Sequence, residues 1–144
     1  MDVWIYSDGA CSGNPGDGGY CAILKCAKVE TVISGYEKNT TNNRMELIAV
    51  IEGLKALNKR CSVTVVSDSK YVCDAINQGW LTAWKQNSWR KSNKKPVLNK
   101  DLWEELDSLL SRHNVNFQWI RGHAGHPENE RCDRIAVGEY LKHK

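Results

Sequence analysis

Trp4-Ile5-Tyr6-Ser7-Asp8-Gly9 is the stretch on which the fold turns. In an extended segment Trp4, Tyr6 and Asp8 share one face, and Val3, Ile5 and Ser7 share the other. Both faces carry apolar residues, which predicts a strand covered on both sides and therefore a central one. Asp8 closes the run and Gly9 follows at once, so the carboxylate stands at the edge of the sheet, as a turn former or as part of a site. Val63-Thr64-Val65-Val66-Ser67-Asp68 repeats the pattern, a short β-branched run ending in an aspartate. It is predicted as an interior strand parallel to the first, which sets two strand-terminal aspartates side by side. Capping of the next helix by Asp68 or Ser69 is the competing role.

Outward from these two runs the chain resolves into alternating elements. The glycines of residues 13–19 lead into the apolar run 20–26, which reads as a strand. A nucleotide fingerprint has to open a helix, so this segment is a hairpin connection instead. Residues 29–36 give a third strand, so three antiparallel strands open the fold. Asn43 then reads as a helix cap with Glu46 in capping-box position. Leu47, Val50, Ile51, Leu54 and Leu57 form the buried stripe. After the second aspartate run, Tyr71, Val72, Ala75 and Ile76 line the inner face of a helix. A helix starting at Asn99 or Asp101 turns Leu102, Leu106, Leu109 and Leu110 inward, and residues 116–120 alternate as a fifth strand. Pro127 suits a first helical position, with Glu128 and Glu130 at the favourable end of the dipole. In that last helix Cys132, Ile135 and Ala136 are buried and Asp133 lies at their edge.

A chain of 144 residues is long enough for one domain with a real core. No apolar run approaches membrane-spanning length, and the chain opens directly on strand pattern, so neither a membrane span nor a secretory leader is expected. Six cysteines without a Cys-x-x-Cys pair read as reduced thiols of a cytoplasmic protein, not as a disulfide frame or a zinc site. The net charge of +3 is unevenly spread. Between Asp74 and Asp101 there is no acidic residue, while Lys85, Arg90, Lys91, Lys94, Lys95 and Lys100 are basic. The other fourteen of the twenty Lys and Arg residues face seventeen acids elsewhere. Trp80, Trp84 and Trp89 are interleaved with this basic run, a composition that suits phosphates together with sugar or base faces.

Five segments, in order, resemble the ribonuclease H type 1 family in its bacterial form with a basic protrusion. They are Ser7-Asp8-Gly9, Gly13-Asn14-Pro15-Gly16, Thr41-Asn42-Asn43-Arg44-Met45-Glu46-Leu47, Ser67-Asp68-Ser69, and Gly122-His123-Ala124-Gly125-His126-Pro127-Glu128-Asn129-Glu130-Arg131-Cys132-Asp133. The resemblance implies an α/β, ribonuclease H-like fold: one domain over residues 1–144, a five-stranded mixed sheet in the order 3-2-1-4-5 with helices on both faces, and a basic protrusion at about 80–96. It implies endonucleolytic cutting of the RNA strand of an RNA–DNA hybrid, leaving 5′-phosphate and 3′-hydroxyl ends. Asp8, Glu46, Asp68 and Asp133 would hold two magnesium ions, with manganese as a substitute. His123 would assist proton transfer or product departure, while His126 serves structure.

The same resemblance assigns hybrid recognition to further residues. Cys11, Asn14, Asn42, Asn43 and Glu46 would read the minor groove, where 2′-hydroxyls distinguish RNA from DNA. The DNA strand would follow the protrusion (Trp80, Lys85, Lys91, Lys94, Lys95) and a phosphate pocket matched by Thr41 and Asn99. The family's arginine before that pocket is missing. Lys38 is the nearest base and Asn39 is inserted beside it; Lys70 and Gly79 also depart from the pattern. A non-cleaving hybrid-binding module would have lost a carboxylate, and none is lost. An integrase or transposase core would show an Asp-Asp-Glu order with further DNA-binding domains. A monomer is expected.

Overall fold

The structure is a computed structural model and describes residues 2–91, 93–122 and 124–143. Its sheet is built from β1 (Asp2–Cys11), β2 (Gly16–Cys26), β3 (Val29–Thr40), β4 (Ser62–Ser67) and β5 (Asn114–Trp119). The strand order is β3-β2-β1-β4-β5, with β1 in the centre as its two-faced apolar pattern requires. β1, β2 and β3 pair antiparallel, and β4 runs parallel to both β1 and β5. The mixed sheet and its order are those implied by the resemblance. The third strand is longer than its apolar run, and the fifth begins and ends earlier than its alternation predicts.

One face of the sheet carries the main core. Val3, Ile5, Val63 and Val65 meet Leu47, Val50, Ile51 and Leu54 of α1 (Asn42–Lys55), and Leu102, Trp103 and Leu106 of α4 (Lys100–Leu110) extend the cluster. The other face is covered by α5 (Pro127–Leu141), whose Cys132 and Ala136 pack on Cys21 and Ile23. α5 comes so close to β2 that a β-carbon at Gly19 would run into the carbonyl of Ala136. All six cysteines are free thiols.

One helix start differs from the sequence reading, and at a second the structure decides between the two caps the sequence offers. The cap of α1 is Thr41, whose Oγ1 accepts from the Arg44 N–H at 3.3 Å, so Asn43 lies inside the helix and the capping box does not form. Asp68 is likewise not the cap of α2 (Lys70–Asn77). Ser69 fills that role, its hydroxyl accepting from the Val72 N–H at 3.2 Å. Both aspartate and glutamate are thereby released from capping.

The protrusion opens with the short helix α3 (Trp80–Gln86) and closes on a bridge between Arg90 and Pro96. Its tryptophans divide. Trp84 packs edge-on to the buried Trp103, ring centroids 5.4 Å apart, and Trp89 also joins the core. They anchor the segment, and of the three tryptophans only Trp80 stays largely exposed.

Asn39 falls where β3 is irregular. Gly16 pairs with Thr40 while Gly18 pairs with Glu37, so β3 carries one residue more than β2 across this step, and Asn39 takes φ +52°. Past this β-bulge Thr40 pairs again, and Thr41 follows as the cap of α1.

His113 is buried where β5 begins, and its Nδ1 accepts from the Cys61 N–H at 3.1 Å. Burial, with Arg60 and Arg112 nearby, holds its pKa below the ordinary value. The unfolded chain therefore binds the extra proton first, so stability should fall as pH drops below about 6.5. Melting curves between pH 5 and 7.5, taken in magnesium, should show this slope in the parent and lose it in His113→Asn. An equal slope in both would remove His113 as its source.

Candidate active site

The parallel pairing of β1 with β4 ends at Tyr6 opposite Val66, and β4 itself ends at Ser67, so Asp68 stands just past the end of β4, beside Asp8. Asp8 does not close its strand as the sequence reading has it: β1 runs on to Cys11 because residues 8–11 stay paired with β2. α1 brings Glu46 from the core side. One N–H, that of Gly9, donates to Glu46 Oε1 at 2.5 Å and to Asp8 Oδ1 at 2.9 Å. This contact spans 37 residues of chain and sets Glu46 against β1. One oxygen from each of Asp8, Glu46 and Asp68 falls within a sphere of contacts no longer than 4.8 Å. Asp133, on α5, lines the same clefts as Asp8 and Asp68, outside this tight trio. α5 is tied to β4 by Asn129, whose amide donates to the Val66 carbonyl at 3.3 Å.

The electrostatics follow from gathering like charges in a buried place. Burial pushes the Asp8 carboxyl up to about 7; the Asp68 and Asp133 charges add to this, and a hydrogen bond with Glu46 opposes it. Burial, then the charge of Asp8, holds Glu46 well above the usual carboxylate range. Glu46 Oε2 is buried without a hydrogen-bond partner. An orphaned buried oxygen beside two more carboxylates is a donor set that suits a hard divalent cation.

His123 lies outside the described residues. Its neighbours Gly122 and Ala124 line the cleft of Asp8, Asp68 and Asp133. His126 precedes α5 as its N-cap residue, without a side-chain cap bond, and Pro127 takes the first helical position. Among the described residues no cluster of cysteine and histidine suited to a metal is present.

The remaining residues assigned by resemblance fall into three places. Asn42 and Asn43 line the cleft next to Glu46. Cys11 and Asn14 lie at the β1–β2 hairpin, the Cys11 thiol donating to the Gly13 carbonyl at 2.6 Å. Thr41 and Asn99 are drawn together by Arg44, which donates to Asn99 Oδ1 at 3.3 Å while its guanidinium engages Asp101 at 3.1 and 2.9 Å. Arg44 had no assigned role in the sequence, although it stands inside the motif that carries Glu46. Asp101 and Glu37 hold Arg44, whereas Lys38 forms no ion pair with a described residue. On the protrusion Trp80, Arg90 and Lys91 line a separate groove with Trp84 and Asn87. Lys85 is paired with Asp107 at 3.1 Å, so its charge is already partly answered within the fold.

A cluster of acidic groups thus stands where two parallel strands stop pairing, on a mixed sheet in this order. Residues 1–140 match the family model described as RNase H. The Ribonuclease H of Nitratidesulfovibrio vulgaris (strain DP4) is 53% identical over 136 residues, covering 94% of this chain and 87% of its own length. That of Pelobacter propionicus (strain DSM 2379) is 55% identical over 134 residues, covering 93% and 82%. Among solved structures, LC9-RNase H1, described as a type 1 RNase H with the type 2 active-site motif, superposes with a TM-score of 0.88 at 34% identity, covering 99% of this chain and 74% of its own. LC11-RNase H1, solved with an RNA/DNA hybrid, superposes with a TM-score of 0.74 at 23% identity over 98% of both chains, which shows a common fold. The chain belongs to the RNase H family and is a ribonuclease H enzyme. No helix among the described residues is long and apolar enough to cross a membrane.

Proposed function

We propose that this protein is a cytoplasmic, monomeric endonuclease that hydrolyses the RNA strand of RNA–DNA hybrids at Asp8, Glu46, Asp68 and Asp133, leaving 5′-phosphate and 3′-hydroxyl ends. The observation that carries the reading is the trio of carboxylates within 4.8 Å, with Glu46 Oε2 buried and unpartnered. The four side chains would hold two magnesium ions, with manganese as a substitute. Held by these side chains, such ions would supply activation of a water and neutralisation of charge on the scissile phosphate and leaving oxygen.

The chain's own residues do the rest. Asp8 presents its oxygens from within β1 and Asp68 from just past the end of β4, and Gly9 keeps Glu46 aimed at them. His123 relays a proton or speeds departure of the product. Asn42 and Asn43, with Cys11 and Asn14, read the minor groove through groups that donate and accept hydrogen bonds. Thr41 and Asn99 hold a DNA phosphate, and the protrusion follows the DNA strand with Trp80, Lys85, Lys91, Lys94 and Lys95. The deciding experiment is a metal-dependent cleavage assay on hybrid, duplex RNA, single-stranded RNA and DNA. Cutting of the hybrid's RNA strand alone is expected. Binding without cutting, or cutting of DNA, would overturn the reading.

Lys91, Lys94 and Lys95 serve capture, not chemistry. Replacing all three by alanine should raise KM severalfold and leave kcat nearly unchanged, as when uniform binding is lost. The slope of log K against log salt should flatten by roughly 0.9 for each phosphate contact removed. Steady-state kinetics at several salt concentrations measure both quantities. An unchanged KM would make these lysines ordinary solvated surface.

A further inference from the structure

Lys70 has no place in the functions above, yet it is the only base among the described residues that line the cleft shared by Asp8, Glu46, Asp68 and Asp133. It is the first residue of α2. A cation there meets the positive end of the helix dipole, so the position does nothing for the helix itself. Four carboxylates close by would be the obvious partners, but Lys70 forms no ion pair with a described residue. Instead its ammonium lies 5.0 Å from the centre of the Trp119 ring. That indole is itself fixed, because its Nε1 donates to the Asp68 backbone carbonyl at 2.9 Å, and its face is partly open to solvent.

The arrangement has a clear physical result. The ring attracts the ammonium through its quadrupole and offers no counter-charge to neutralise it. The cation is thus kept at the cleft's rim, within the neighbourhood of Asp68 but off the acidic oxygens, and still able to accept an anionic partner. A phosphodiester strand laid with one phosphate at the carboxylates must bring its neighbouring phosphates along the rim. A point charge with three rotatable donors suits a phosphate oxygen there.

We propose that Lys70 binds a phosphate of the RNA strand next to the scissile one, with Trp119 as the platform that positions it. This rests on the reading of the cleft as the place where the RNA strand is cut. The residue is a specificity and positioning group: it touches substrate and leaves the reacting atoms to the carboxylates.

Hybrid binding measured by fluorescence anisotropy without divalent metal, at several salt concentrations, tests the proposal apart from cleavage. Lys70→Ala should weaken binding about tenfold at low salt and reduce the salt slope by roughly 0.7–0.9, one phosphate contact. Lys70→Arg should restore most of both. A hybrid whose RNA strand carries one uncharged methylphosphonate linkage beside the cleavage position, placed after a single 2′-deoxynucleotide, locates the contact. Against the same strand with an ordinary phosphate, the parent should lose affinity and Lys70→Ala should be indifferent, so the two changes are coupled. Trp119→Leu should weaken binding in the parent and change little in the Lys70→Ala background. Unchanged binding by Lys70→Ala, or equal losses with the uncharged linkage in parent and variant, would overturn the proposal. Parent protein that binds DNA duplex as tightly as hybrid would instead count against the reading of the cleft, and the two failures are therefore separable.

Discussion

Asp8→Asn should cleave hybrid on the order of a thousandfold more slowly than the parent while binding it nearly as well, and without metal it should melt at a higher temperature. The activity loss follows from the geometry: Asp8 supplies one of three oxygens within 4.8 Å, and several kcal/mol of transition-state stabilisation are at stake in such a site. The gain in stability follows from charge. The folded protein holds the Asp8 proton up to about pH 7, mainly because of burial, whereas the unfolded chain releases it near the ordinary value of 3.8. The folded state thus binds more protons across that window, and its stability declines as pH rises from about 4 to 7 before levelling off. The amide carries no such liability, so the melting gap should open over the same range and persist above it. Added magnesium should narrow the gap by stabilising the parent more than the variant. Single-turnover cleavage and melting curves with and without magnesium test the two parts separately. Near-parental cleavage would remove Asp8 from the site, and equal melting temperatures at pH 8 would sink the electrostatic account.

Gly9→Ala should damage both the fold and the site. A β-carbon at Gly9 would press into the backbone of Met45 and Glu46, where no flexible side chain can yield. The first turns of α1 must then retreat from β1, at a cost of about 2–3 kcal/mol, which corresponds to a drop in Tm on the order of 10 °C. The same retreat lengthens the bond from the Gly9 N–H to Glu46 Oε1 and moves that oxygen away from Asp8 and Asp68. Cleavage measured well below the new melting point should therefore fall, and more magnesium should be needed for half-maximal rate. A variant with parental Tm and parental magnesium dependence would show that the approach of α1 to β1 is not what aims Glu46.

The sequence announces some of this site and conceals the rest for identifiable reasons. Asp8 and Asp68 were legible because strand periodicity is local and two apolar runs each lead into an aspartate; that β1 continues past Asp8 was not, because its last residues are held by pairing with β2. Glu46 was ambiguous: a capping box and a site residue look identical within four residues. What separates them is a hydrogen bond to Gly9, 37 residues away. The cap moved to Thr41 because its hydroxyl, not the Asn43 amide, reaches the Arg44 N–H. Trp84 and Trp89 look like Trp80 in a basic segment, and only tertiary packing, for Trp84 against Trp103, takes them partly out of solvent. Arg44 was silent because its partners Asn99 and Asp101 lie on another helix start.

The bulge at Asn39 has a bearing beyond register. β3 is an outer strand of the sheet, and its free edge offers unpaired backbone groups to any extended segment that comes by. A two-against-one step twists that edge locally, and charged Glu37 and Lys38 stand at the same place. Another copy of the chain would find no straight template along which to lay a sixth strand. The extra residue that looks like a flaw in the family pattern thus also serves as a guard against strand-by-strand aggregation, at the end of the sheet farthest from β5.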